Sequence, residues 1–260
     1  MRKKEGNFVT QRRRQTKKKN YWKTVTISLL LFIMLAVGLV LMFNEPIKRA
    51  LVGNMAKATI EQPLDKETLN DAALLSQAKN SKEKEEAKKK YNGFEASYDF
   101  NKVKPLSFEE VAKERARHKK VPMAGKIAIP SVNILLPIVP GVSNASLSAG
   151  AGTLKDNQSM GKGNYALASH NMNDYATLFS PLLNIKLGAR MYITNGKTIY
   201  QYKVKTKQYI SPSDIQVIDN HKGKTELTLI TCNLSGNRRL LVQGDLINKM
   251  PYQAKANLFQ

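Results

Sequence analysis

One cysteine in 260 residues, Cys232, leaves no partner for an intramolecular disulfide and rules out a multi-cysteine metal site. Histidine is nearly as scarce, with His118, His170 and His221 the three present. Acidic side chains are outnumbered, 20 Asp and Glu against 42 Lys and Arg, for a net charge of +22. No internal repeat and no phosphate-cradling glycine motif appears. What is present bounds the chain from the other side. An apolar content of 42% excludes wholesale disorder, and the length allows one ordinary domain with attachments.

The charge is unevenly spread. Residues 1–23 carry ten basic side chains against Glu5, residues 45–120 carry seventeen against thirteen acids, and residues 121–260 carry fifteen against six. Between the first two blocks, residues 25–43 (VTISLLLFIMLAVGLVLMF) hold no charge at all. At about 1.5 Å per residue this run spans roughly 28 Å, the hydrocarbon thickness of a bilayer. A buried core helix would show a polar face, which this run lacks. The run exceeds a usual signal-peptide core, and Ala56-Lys57-Ala58 lies too far beyond it to serve as a cleavage site. The expectation is an uncleaved anchor with its basic head in the cytoplasm and everything after residue 44 outside the cell. A membrane partner therefore accounts for the basic head, and nucleic acid is not expected.

Four regions follow: a head at 1–24, a membrane anchor at 25–43, an extracytoplasmic stalk or linker at 44–120, and a folded domain at 121–260. In the stalk, Pro46–Ala58 and Leu64–Ala78 have helical composition. Asn80–Lys90 (NSKEKEEAKKK) is a mixed-sign run that reads as a solvated helix face or flexible spacer. Ser107 and Glu110 are spaced as a capping box for a helix reaching Arg117.

After Val121, glycines and prolines punctuate short apolar runs. Asn195-Gly196 separates two β-branched and aromatic stretches, a strong hairpin signal. Seven or so strands in this span predict an antiparallel barrel or sandwich, with Tyr175–Leu183 as a possible short helix.

Cys232 ends the strand ELTLIT (226–231) and opens into a polar loop, a rigid mount with one side left to substrate. A lone cysteine is often only a small buried hydrophobe. Two positions argue for more. His170 closes the strand NYALAS (164–169), and Arg239 opens the strand after the Cys232 loop. Thiolate is the nucleophilic form, and a neighbouring imidazolium or guanidinium favours it. Histidine can also protonate a leaving amine, whereas arginine cannot act as a base and suits an oxyanion. His118 in the charged stalk and His221 in a polar turn read as solvated bystanders.

Thr228-Leu229-Ile230-Thr231-Cys232 resembles the TLxTC signature of the sortases, cell-surface cysteine transpeptidases of Gram-positive bacteria. The similarity runs over residues 121–246 and includes GKIAIP (125–130), GAGTLKDNQ (150–158), NYALASHN (164–171), LFSPL (178–182) and RRLLVQGDL (238–246). With a single N-terminal anchor, the set resembles class A, the housekeeping group; the stalk lies outside it. The resemblance implies a mainly β fold, an eight-stranded sortase barrel with short helices. It implies Cys232 as nucleophile, His170 as general acid/base and Arg239 as oxyanion stabiliser, with Arg238 the competing arginine. Ala168, Ile230 and Thr231 match positions that contact the sorting peptide. The implied reaction cuts an LPxTG signal between Thr and Gly through a Cys232 thioester, then joins the surface protein to an amine of a lipid-linked peptidoglycan precursor.

Some sortases use calcium held by carboxylates in the loop before the His strand. Here Gly150–Gly163 has one acid, Asp156, beside Lys155 and Lys162, so no metal and no cofactor is expected. Lys155 is expected to pair with an acid such as Asp219. Two alternatives stand beside the main reading. One is a pilin-polymerising sortase, disfavoured by the lack of an obvious lid before the barrel and of a second apolar span. The other is a non-enzymatic module that binds anionic wall polymers through its positive charge.

Overall fold

The computed structural model describes residues 5–77, 81–99, 103, 106–117, 120–172, 174–233 and 235–259, with side chains described from residue 21 onward except at 40 and 41. The chain forms two compact units, residues 1–47 and 48–260. The first is dominated by helix α1 (Glu5–Met42), in which Tyr21–Leu39 is long and apolar enough to cross a membrane. The expected anchor at 25–43 overlaps that stretch. An apolar helix of this length fits a membrane anchor.

The second unit is built on eight strands: β1 (Gly125–Ile129), β2 (Ile134–Val139), β3 (Ala151–Thr153), β4 (Asn164–Ala168), β5 (Arg190–Thr194), β6 (Thr198–Ile210), β7 (Glu226–Cys232) and β8 (Arg239–Pro251). They close into a barrel in the order β1-β2-β3-β4-β7-β8-β6-β5, which removes free sheet edges. The barrel is not purely antiparallel, as periodicity suggested: β2 runs parallel to β3, and β4 parallel to β7. Parallel neighbours need a long crossover, and the path from β4 to β7 supplies it by detouring through β5 and β6.

Local signals act as their chemistry requires. The Asn195-Gly196 turn joins β5 to β6; Gly196 sits at φ +79°, and the Asn195 side chain accepts from the amides of Lys197 and Thr198 at 3.2 and 3.0 Å. The capping box forms at the start of a helix spanning Phe108–Arg117: Ser107 Oγ accepts from the Glu110 amide at 3.1 Å, and the Glu110 carboxylate accepts from the Ser107 amide at 3.2 Å. Tyr175–Leu183 does not become a helix. Tyr175 and Leu178 adopt φ of +57° and +53°, which breaks any right-handed turn, and only Ser180–Asn184 coils as a short 3₁₀ turn.

The expected stalk at 44–120 is corrected by the packing. Within the second unit, the described part of this region folds onto the barrel. Leu75, Ala87, Tyr91 and Phe94 form one buried cluster with the barrel-side residues Val121, Val139, Ala145 and Ala149. Val52, Ala56, Leu106 and Val111 join the main barrel core. The charge run becomes a helix at Lys82–Lys90, capped by Ser81, with Ala87 its one buried residue. Charge therefore describes the outer face of this helix, while a single alanine and the aromatic pair that follows supply the inward contact. Burial of an aromatic ring at this seam contributes heavily to stability. Phe94→Ala is expected to lower unfolding free energy by about 3–5 kcal/mol, measured by denaturant titration; a loss below about 1 kcal/mol would mean the helical layer is only loosely attached.

Candidate active site

Strand alternation sorts the barrel side chains into two sets. Tyr165 and Leu167 on β4, Leu227 and Leu229 on β7, and Leu240 and Val242 on β8 point into the main core. The intervening Ala166 and Ala168, Ile230, and Leu241 share a separate cluster on the outer face. One step further along each strand on that outer parity brings His170, Cys232 and Arg239. The register agrees. Ala168 pairs with Ile230 across the parallel β4–β7 ladder, so His170 continues opposite Cys232, and Cys232 pairs directly with Arg239 across β7–β8.

These three residues line one cavity of about 240 Å³, together with Asn171, Asn233 and the apolar side chains of Val103, Leu106 and Met172. Lys48 also lines it and donates to the Leu106 carbonyl at 3.3 Å. Cys232 is half-buried. His170 is only 6% exposed, and its Nε2 is buried without a hydrogen-bond partner. Burial lowers the His170 pKa from 6.5 to about 4, with the Lys48 ammonium adding to the effect and the Glu110 carboxylate opposing it. The resting imidazole is therefore neutral near physiological pH, with a nitrogen left open to a reacting group.

The two arginines part ways. Arg239 is half-buried, lines the cavity, and donates to the carbonyl of Gly236 at 3.0 Å. Gly236 takes φ +76° in the turn, a left-handed conformation that suits a residue without Cβ. Arg238 is exposed and donates to the Tyr209 carbonyl at 2.8 Å, with its guanidinium 5.7 Å from the centre of that ring. Of the two candidates, Arg239 is the one beside the sulfur.

Arg239 also borders a groove of about 310 Å³ whose walls include Leu154, Ile210, Ile215, Ile218 and Ile230. Ile230 is thus one of the side chains that line this groove. Ala168 packs in the apolar cluster beside it. Thr231 is turned inward: it is 2% exposed and its hydroxyl donates to the Ser169 carbonyl at 2.8 Å, so that its contact is with the β4 end and not with the groove.

One groove wall is the β6–β7 loop, fastened from below. Asn164, buried at the start of β4, donates from Nδ2 to the carbonyls of Val217 and Asp219 at 3.0 and 3.1 Å and accepts from Thr228 at 2.7 Å. Lys155 does reach this loop, but it donates to the Ile218 carbonyl at 2.7 Å and to Asn220 at 3.1 Å, and Asp219 acts on it only through charge. His221 is exposed and does not line the Cys232 cavity, as expected, but it has a structural partner. Its Nδ1 lies 2.6 Å from Glu226, a carboxylate 1% exposed that also binds Lys205 at 2.7 Å. His118 lies outside the described residues. Among the described residues, no group of three or more His, Cys, Asp and Glu side chains could hold a metal ion.

A model of the sortase domain matches residues 127–247. Over 224 residues the chain is 36% identical to sortase A of Streptococcus agalactiae, covering 84% of this chain and 83% of that protein. This chain belongs to the sortase family. It is also 35% identical to sortase A of Listeria monocytogenes over 227 residues, or 86% of this chain and 90% of that one. The crystal structure of Listeria monocytogenes sortase A matches with a TM-score of 0.51 at 36% identity, over 53% of this chain and 97% of that chain. The chain is thus a class A sortase, a cysteine transpeptidase that serves cell-wall sorting. The reading as a non-enzymatic wall-binding module falls with that, and relatives named sortase A leave the pilin-polymerising alternative without support.

The buried imidazole has a thermodynamic consequence. In the unfolded chain His170 titrates near 6.5, whereas in the fold it resists protonation until about 4. Between those values the unfolded state holds more protons, so stability falls as pH drops through this window. The His170 contribution is on the order of 3 kcal/mol at most. Melting temperature measured from pH 7 to pH 4 is expected to decline less steeply in His170→Gln than in wild type; parallel curves would show that the imidazole is not buried in solution.

Proposed function

We propose that this sortase cleaves an LPxTG-type signal between Thr and Gly and transfers the threonyl carbonyl to an amine of a lipid-linked peptidoglycan precursor. The observation that carries the reading is the convergence of His170, Cys232 and Arg239 on one cavity that opens, past Arg239, onto an apolar groove. In this reading Ile230 and the neighbouring Ala168 cluster shape the seat for the Leu-Pro end of the signal, and Thr231 acts through the strand end it fastens.

The proton and charge balance assigns the roles. The Cys232 thiolate attacks the threonyl carbonyl, and negative charge develops on the carbonyl oxygen, where the Arg239 guanidinium donates. The thiol proton passes to His170, whose neutral, unpartnered Nε2 is ready to accept it, and the resulting imidazolium protonates the departing glycyl amine. The thioester remains on Cys232. In the second half the incoming amine attacks the thioester and gives its proton to His170, and the imidazolium returns that proton to the departing Cys232 sulfur, restoring thiol and neutral imidazole. Because burial opposes the imidazolium, bound substrate must supply the compensation by placing developing negative charge beside it.

Residues 25–43 act in this reading as a single membrane anchor, with residues 1–24 cytoplasmic and residues 44–260 on the outer surface. That topology brings the enzyme to both substrates, the surface protein emerging from the membrane and the precursor held in it. No cofactor is required by the balance above.

The test is chemical. The chain incubated with an LPxTG peptide and a small amine is expected to show, by intact-mass spectrometry, a thioester on Cys232 and then the exchanged peptide. Cys232→Ala should show neither, and absence of both in folded wild type rejects the reading. Arg239→Ala should lower kcat about 10²–10³-fold, with Arg238→Ala near wild type; equal losses would remove the special role of Arg239. Since the groove is largely aliphatic, KM for the peptide should change no more than about twofold between roughly 0.05 and 0.5 M salt, and a steep rise would point to charge-driven docking.

A further inference from the structure

The backbone ladder between β4 and β7 ends just where the reactive side chains begin. Its last paired residues are Ala168 and Ile230, followed by one more bond from the Ser169 amide to the Ile230 carbonyl at 3.2 Å. Beyond that point side chains take over. The Thr231 hydroxyl holds the Ser169 carbonyl, and the Asn171 side-chain amide donates to the carbonyl of Cys232 at 3.0 Å. The second bond spans the strand ends on the far side of His170, linking the residue after the imidazole to the backbone of the residue bearing the thiol.

Both ends of this link are themselves fixed. On the β4 side, the His170 carbonyl accepts from the Phe179 amide at 3.1 Å, the Met172 amide donates to Ser180 Oγ at 2.7 Å, and Asn171 bridges to Leu178. On the β7 side, the amide of Asn233 donates to the Arg238 carbonyl at 3.0 Å. The peptide unit after Cys232 is thus held on one side from the His170 strand and on the other from the strand of Arg239.

We propose that Asn171 is a positioning residue of the transpeptidase reaction, its amide clamping the Cys232 carbonyl so that imidazole and sulfur keep a reactive spacing. This inference rests on the roles given above to His170 and Cys232. Asn171 does not act on the substrate; it acts through the two strand ends. Neighbouring strands lie about 4.8 Å apart, and nothing in the ladder itself enforces that spacing two residues past its last rung. A displacement near 1 Å at reacting atoms costs up to about 100-fold in rate.

The full chain in detergent provides the test. Asn171→Leu, similar in size but without the donor, is expected to lose about 10- to 100-fold in kcat with KM for an LPxTG peptide within about twofold. A kcat within about twofold of wild type, or a loss carried by KM alone, overturns the proposal. Should Asn171→Leu melt well below wild type, Asn171→Gln decides, because it retains an amide donor. Recovery of at least about tenfold over the leucine variant supports the clamp, and an equal loss in both overturns it. Hydrogen exchange separates this inference from the functional reading. If wild type exchanges no peptide, the transpeptidase roles fail, while the amides of residues 169–171 and 231–233 still report. Faster exchange there in Asn171→Leu supports the clamp, and unchanged exchange overturns it.

Discussion

The parallel pairing of β4 with β7 is the constraint on which the rest of the site depends. Its register, Ala168 against Ile230, carries His170 and Cys232 forward together on the outer face of the barrel, while their inward neighbours Leu167 and Leu229 enter the core. A slip of one residue would turn either side chain to the wrong face. The buried leucines resist such a slip, because it would put Ala166 or Ala168 in the place of Leu167 and leave core volume unfilled. Core packing and catalytic geometry are therefore one specification, enforced by the same alternation. The antiparallel β7–β8 pair then completes the set by returning Arg239 directly opposite Cys232.

Burial shapes the chemistry as much as placement does. His170 sits under Val103, Leu106 and Met172, with its Nε2 unpartnered, and it remains neutral well below its ordinary range. An unpaired buried nitrogen is costly to a fold. Here it belongs to an imidazole that lines the same cavity as Cys232, and a group perturbed by burial inside a cleft is where a functional role is to be sought. The half-buried Cys232 and Arg239 keep the opposite side accessible from the aliphatic groove. The cavity thus has an apolar wall over His170 and meets the aliphatic groove at Arg239.

Much of this architecture was legible in short windows of sequence. The Ser107–Glu110 capping box and the Asn195-Gly196 turn form as written because each depends on atoms within three residues of one another. The helix expected at Tyr175–Leu183 failed for a reason at the same range, two left-handed residues that composition does not announce. The stalk was misread because a run such as Lys82–Lys90 displays its solvated charges and hides its contact in one alanine, with Tyr91 and Phe94 just beyond. His221 is exposed, as its polar turn predicts, and what composition does not announce is that Glu226, five residues on, is buried against it. Asn171 stood within the quoted run NYALASHN, yet its partner, the Cys232 carbonyl, is sixty-one residues away.

By itself, the sequence determined which side chains were available for chemistry, which face of each strand they would occupy, and that an apolar helix of membrane-spanning length precedes the barrel. Those properties follow from residue type and from periods of two and 3.6 residues, which operate locally. Only the tertiary structure decided that β4 and β7 run parallel, that Arg238 turns away to the Tyr209 carbonyl, that His170 is held neutral by what covers it, and that the described segments between residues 48 and 117 pack as part of the second unit. Each of those outcomes is set by contacts between segments tens of residues apart, where register and burial emerge from the closed barrel as a whole.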